Sequence, residues 1–159
     1  MTGLLMIPTV LGSLASKPII RSIVQRFGYR RVLLVNTLLV GLCIASFSLT
    51  TADTPLWLRT MHFFIFGVLN SLQFVSMNTL TLKDLNQQDA SSGNSFLSMI
   101  MMLSMSIGVA LASTLVNMLG AYYGADNLVA AFHMALICLG CINIIAAYIF
   151  WHIPKNTPV

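Results

Sequence analysis

Residues 22–31 read SIVQRFGYRR, and they place three arginines and one glycine between two apolar stretches. Five of the eight basic residues fall within fifteen positions, namely Lys17, Arg21, Arg26, Arg30 and Arg31. Clustered positive charge beside apolar sequence is typical of the cytoplasmic loops of membrane proteins. The cluster therefore predicts an inner loop, at residues 17–31, that connects two membrane-spanning helices.

The composition supports a membrane protein. Of the 159 residues, 57% are hydrophobic and only 8% are charged, whereas soluble domains carry about 25% charged residues. The mean hydropathy is +0.87. The net charge of +4 comes mainly from this one cluster. Such a distribution is better explained by orientation of the chain in a membrane than by binding of nucleic acid. We therefore expect the lipid bilayer, and not nucleic acid, to surround the chain.

Five apolar segments are long enough to cross a bilayer. A helix rises about 1.5 Å per residue and the hydrocarbon core is about 30 Å thick, so about 20 residues are needed. The segments are Thr2–Ile20, Val32–Leu49, Leu56–Leu82, Ser92–Leu119 and Leu128–Trp151. Because lipid cannot satisfy free backbone groups, each segment must be helical. The predicted fold is an all-α bundle of about five membrane-spanning helices, which form one incomplete C-terminal transmembrane bundle.

The charges of the connections alternate along the chain. Seven of the eight basic residues fall on one side, and Arg59 is the exception. The positive-inside rule makes that side cytoplasmic and predicts a cytoplasmic C-terminus. Five crossings then put Met1 outside. We therefore expect this chain to be the end of a longer one whose N-terminal helices are missing.

Groups that would support catalysis or metal binding are sparse. The three cysteines lie in apolar stretches and are interpreted as packing residues, and they are Cys43, Cys138 and Cys141. The four acidic residues lie in predicted loops, and they are Asp53, Asp84, Asp89 and Asp126. No nucleophile is paired with a base in this pattern. The sequence predicts neither an enzyme nor a metal site.

Residues 25–31, QRFGYRR, resemble the D-R-x-G-R-R end of the inner-loop motif of the major facilitator superfamily. Gln25 stands where that family has an acid, and Arg21 stands where it has a glycine. Residues 66–115, which begin FGVLNSLQF, are similar to the closing helices of the fourteen-helix drug:proton antiporters. Essentially the whole chain resembles the C-terminal part of such a transporter.

The resemblance implies alternating access, in which two helix bundles rock about a central site. It also implies efflux of small amphipathic drug-like molecules, driven by a proton gradient and without a bound cofactor. The motif residues would act in gating at the inner surface, and they are Arg26, Gly28, Arg30 and Arg31. In the alternative, these residues only orient the chain in the membrane through their positive charge.

The third helix carries a polar stripe that predicts a substrate pathway. At 100° per residue the stripe covers an arc of about 100°, and its polar members are Arg59, His62, Asn70, Gln73 and Thr81. Histidine changes charge near neutral pH, which would suit proton coupling. Two alternatives stay open. Arg59 snorkels to the outer interface while the amides join neighbouring helices, or His62 is a neutral packing residue.

The fourth helix adds two kinds of candidate. Asn94 and Met105 extend the predicted pathway, since methionine adapts to ligands of several shapes. The alternative is that the methionines face lipid or fill gaps. The spacing of Ser104, Gly108 and Ala112 predicts close approach of another helix. Gly67 of the third helix is predicted to have the same packing role.

Two other classes of function remain open. The first is a non-transporting membrane protein, either an assembly partner or a truncated remnant. The second is a channel, which would need a continuous polar lining, and such a lining is traced on only one helix.

Overall fold

A computed structural model describes residues 2–50, 54–82, 85–86, 89–124 and 127–152. Within these residues all regular structure is helical, as predicted. The helices are α1 (Thr2–Phe27), α2 (Tyr29–Ser46), a 3₁₀ helix (Phe47–Leu49), α3 (Leu56–Leu82), α4 (Ala90–Tyr123) and α5 (Leu128–Trp151).

The junction of α1 and α2 differs from the predicted loop. The first helix continues to Phe27 instead of ending near Ile20, because a proline such as Pro18 is tolerated inside membrane helices. Only Gly28 separates the two helices, with φ 76° and ψ 152°, a conformation that is essentially restricted to glycine. Its N–H still donates to the carbonyl of Val24 at 2.8 Å. The arginines therefore belong to helix ends and not to a loop.

Four of the helices are long and apolar enough to cross a membrane, counted over the residues that the structure describes: α2 with its 3₁₀ extension, α3, α4 and α5. The apolar part of α1 in the same residues is Met6–Ser16, which spans only about 16 Å at 1.5 Å per residue. The crossing predicted for α1 stays a prediction. The ends of α4 lie beyond the predicted segment Ser92–Leu119.

The described residues divide into two compact units, residues 1–77 with 136–159, and residues 78–135. The first unit contains α1, α2, most of α3 and the end of α5. Its core follows α2, where Leu33 has no exposed surface and Val32 and Val40 are buried. In the second unit, no residue of α4 is buried, whereas Ala131 and Ala135 of α5 are.

Glycines set the helix crossings of the first unit. A Cβ atom on Gly67 of α3 would overlap the carbonyl of Thr9 and lie 2.8 Å from the Thr9 Cα. A Cβ atom on Gly12 of α1 would overlap the Phe64 carbonyl in return. Missing side chains permit such close approach in membranes, where packing and not hydrophobicity holds helices together. The α1–α3 crossing therefore requires both glycines.

A second reciprocal crossing joins α2 to the end of α5. A Cβ atom on Gly41 would lie 3.0 Å from the carbonyl oxygen of Gly140 and 2.7 Å from Ile144 Cγ1. A Cβ atom on Gly140 would lie 2.8 Å from the carbonyl oxygen of Gly41. These two crossings hold α1 against α3 and α2 against α5.

Candidate functional site

A buried chain of polar side chains joins α2 to α3. Asn36, which is only 2% exposed, donates from Nδ2 to Gln73 Oε1 at 2.8 Å and to the carbonyl of Leu69 at 2.9 Å. Gln73 Nε2 donates to Thr37 Oγ1 at 2.9 Å, and Thr37 donates to the carbonyl of Leu33 at 2.7 Å. Gln73, a predicted pathway residue, thus ties the two helices together.

The sequence reasoning missed Asn36, although a signal was present. A carboxamide within an otherwise apolar membrane helix needs a hydrogen-bonding partner, since unsatisfied polar groups in hydrocarbon are costly. The third helix offered such partners at Gln73 and Asn70. Which of the two faces Asn36 depends on the rotation of α3, and the glycine crossings fix that rotation.

His62 packs against the end of α2 and the 3₁₀ helix. Its Nε2 lies 2.9 Å from Ser46 Oγ and 3.2 Å from the carbonyl oxygen of Cys43. Its ring stacks on Phe47 with the centroids 4.1 Å apart and the planes at 21°. These contacts support the packing alternative for His62. A role in proton coupling stays a prediction.

The polar stripe of α3 therefore divides into two edges. His62 and Gln73 form the edge that bonds to α2, whereas Asn70 on the other edge is exposed. Met77 is 41% exposed on that edge. Phe74, which was not among the predicted residues, lies between Asn70 and Met77 in the chain and is 49% exposed. Asn70, Phe74 and Met77 are called here the open face of α3.

The opposite side of α3 is occupied by α1. Ser13 Oγ lies 3.0 Å from the Thr9 carbonyl oxygen and 3.1 Å from that of Gly67. Ser71 donates to the carbonyl of Ser13 at 3.1 Å. Two sides of α3 are thus held by helices of the same unit. Arg59 lies half-buried in the first turn of the helix.

The candidates on α4 have different surroundings. Asn94 and Met105 are exposed, and Met105 retains 63% of its surface. In the predicted packing seam, Ser104 and Gly108 are exposed and Ala112 is half-buried. A Cβ atom on Gly108 would meet no atom within 4 Å among the described residues. The packing role predicted for this seam stays a prediction.

The predicted motif residues lie at the end of α1 and the beginning of α2. The Arg30 guanidinium lies 5.5 Å from the ring centroid of Trp151, and that of Arg26 lies 5.9 Å from the ring of Phe27. Arg26 ends α1, where the helix dipole favours a cation. Arg30 and Arg31 instead lie in the first turn of α2, where the dipole disfavours one.

Possible metal ligands do not cluster in the structure as far as it is described. No group of three or more His, Cys, Asp or Glu side chains there is placed to hold a metal ion. The three cysteines carry free thiols, and Cys43 is buried between helices.

Comparison with known proteins connects the chain to a family. The family model described as Major Facilitator Superfamily matches residues 1–159. The chain is 46% identical over 162 residues to the "Putative multidrug resistance protein MdtD" of Citrobacter koseri, covering 98% of this chain and 34% of that protein. It is 43% identical over 159 residues to the protein of the same name from Serratia proteamaculans, with coverages of 98% and 33%. No solved structure matches the chain.

Proposed function

The chain belongs to the major facilitator superfamily, and on that basis we propose that it forms part of a multidrug efflux transporter. It is a multi-pass membrane protein of a transporter family, not of an enzyme family. The chain spans about a third of the length of the curated relatives that it matches. The proposed transporter resides in the bacterial inner membrane, and further helices outside these residues complete its two bundles.

The open face of α3 is the observation that carries the proposal. Asn70 exposes a carboxamide near the middle of a helix that is long and apolar enough to cross the membrane. A polar group on a lipid-facing surface is costly, so this face belongs next to protein or water. Phe74 and Met77 add an aromatic and a polarisable surface. We place the passage of small amphipathic molecules along this face, by alternating access.

Replacing Asn70 with leucine is expected to lower drug efflux about fivefold, since one polar contact contributes about 1 kcal/mol. The measurement is drug accumulation in efflux-deficient cells that express the full-length transporter. Ile65→Leu is the matched control, because Ile65 is exposed on a different side of α3. Expression of both variants is compared on blots. Unchanged efflux in Asn70→Leu would remove Asn70 from the pathway.

The source of energy is a separate part of the proposal. We propose that a proton gradient drives export, which agrees with the likeness to drug:proton antiporters. An agent that collapses the gradient in the same cells should then stop wild-type efflux. Persistent efflux would contradict proton coupling only, whereas no drug tolerance from the wild-type gene would favour a non-transporting membrane protein.

The proposed orientation places the α1–α2 junction and the C-terminus in the cytoplasm. Labelling of single cysteines, introduced into a full-length protein without other cysteines, is expected to distinguish the two ends of α2. Leu49→Cys, at a position that is 81% exposed, should react with a membrane-impermeant maleimide added to intact cells. Gln25→Cys, also at an exposed position, should react only after the cells are permeabilised. The reverse pattern would overturn the orientation.

A further inference from the structure

An open cavity of about 850 Å³ lies in the first unit beside the arginine-bearing end of α2. This volume is in the range of about 300–1,000 Å³ that small-molecule sites have. Arg30, Arg31 and Trp151 are at its polar end. The rest of the lining comes from three helices and is mostly apolar, including Ile23, Val35, Leu39 and Leu72, although Asn36 also lines it. The cavity is therefore amphipathic, with its charge at one end.

The depth of the cavity matches half of a bilayer. Arg30 and Leu39 both line it, and nine residues of helix separate them, which corresponds to about 14 Å. One leaflet contributes about half of a hydrocarbon core that is about 30 Å thick. A molecule that reached from Arg30 to Leu39 would therefore extend through one leaflet.

The positive charge at the mouth has no acidic counterpart in the neighbouring sequence. No Asp or Glu precedes Asp53, and Asp53 comes after the opposite end of α2. Arg30 and Arg31 also lie in the first turn of α2, where the dipole favours anions over cations. Trp151 holds the Arg30 guanidinium over its ring at 5.5 Å. The polar end of the cavity is thus suited to bind an anion.

We propose that this cavity binds an anionic phospholipid of the cytoplasmic leaflet. The phosphate lies against Arg30 and Arg31, and one acyl chain follows Val35 and Leu39 into the membrane. A small free anion would leave the apolar part of the cavity unfilled, and a zwitterionic lipid would bring a cation next to two arginines. The proposal shares the orientation given under the proposed function, but it does not require transport.

Photo-crosslinking of the purified full-length protein tests the site. The probe is photoactivatable phosphatidylglycerol, added to the protein in dodecyl maltoside micelles, and crosslinked peptides are mapped by mass spectrometry. We expect crosslinks within residues 30–39, removed by unlabelled phosphatidylglycerol but not by added phosphatidylcholine. This competition uses the wild-type protein and does not depend on the folding of any variant.

Charge variants then separate a specific site from general attraction. Each arginine near the headgroups contributes a factor of about five, so Arg30→Gln with Arg31→Gln should weaken competition about thirtyfold. Arg26→Gln is the matched control for Arg30→Gln alone, since each removes one positive charge and only Arg30 lines the cavity. Leu39→Trp should weaken competition without any change of charge, because it fills the apolar end.

Three outcomes would overturn the proposal. Equal competition by phosphatidylcholine would show a site without headgroup selectivity. Competition by inorganic phosphate as strong as that by the lipid would show a phosphate site instead. An equal loss in Arg26→Gln and in Arg30→Gln would show diffuse electrostatics. Drug efflux is not part of any of these measurements, so their failure is distinguishable from failure of the proposed transport function.

Discussion

Replacing Gly67 with leucine is expected to remove most of the folded protein from the membrane. The new Cβ atom would overlap the Thr9 carbonyl and lie 2.8 Å from the Thr9 Cα. Because both are backbone atoms, only a shift of α1 away from α3 relieves the overlap, which also breaks the bond between Ser13 and the Gly67 carbonyl. Because the overlap is with backbone, the cost is expected to exceed the about 1–3 kcal/mol that is typical of overpacking, and to approach a typical total stability of about 5–15 kcal/mol.

Fluorescence-detected size exclusion of the tagged full-length protein measures this effect. Gly12→Leu should behave like Gly67→Leu, because it lies on the other side of the same crossing. Ala15→Leu adds a side chain to an exposed position of α1, and it should leave the monodisperse peak intact. A normal peak and melting temperature for Gly67→Leu would show that α1 and α3 do not cross at these glycines.

The membrane-spanning helices were largely predictable, because hydrophobic length is a local property of the sequence. The end of α1 and the beginning of α2 were not predictable in this way. The basic cluster at residues 17–31 suggested that the first helix ended near Ile20, yet the chain remains helical until Gly28 takes up a positive φ. Charge marks the side of the membrane, whereas backbone conformation marks the end of the helix. The predicted end of the first helix, Ile20, and its observed end, Phe27, are seven residues apart, which is about two helical turns.

The site was predictable only as a set of candidates. Periodicity placed His62, Asn70 and Gln73 on one arc of α3, but it could not divide that arc between a helix contact and an exposed face. The division depends on Asn36 of α2, which bonds to Gln73 and leaves Asn70 exposed. This division of α3 is therefore set by contacts between residues more than thirty positions apart. The periodicity of a single helix carries no information about such contacts.

Replacing Asn36 with leucine is expected to lower the free energy of unfolding by about 1–2 kcal/mol, the upper end of what hydrogen bonds between membrane helices contribute. The change removes the bonds to Leu69 and Gln73. It leaves the Gln73 Oε1 without its donor, and an unpaired polar atom is costly in an apolar environment. Gln73→Leu should cost a similar amount, because Thr37 then also loses a partner.

A double-mutant cycle on the full-length protein isolates the bond itself. Asn36→Leu with Gln73→Leu should be less destabilising than the sum of the two single changes, with a coupling energy of about 0.6–1.7 kcal/mol. Asn70→Leu is the control, since its carboxamide is exposed, and it should change efflux while leaving stability within about 0.5 kcal/mol. Strict additivity in the cycle would show that Asn36 and Gln73 do not share a stabilising bond. In that case the division of α3 into a bonded edge and an open face would lose its structural cause.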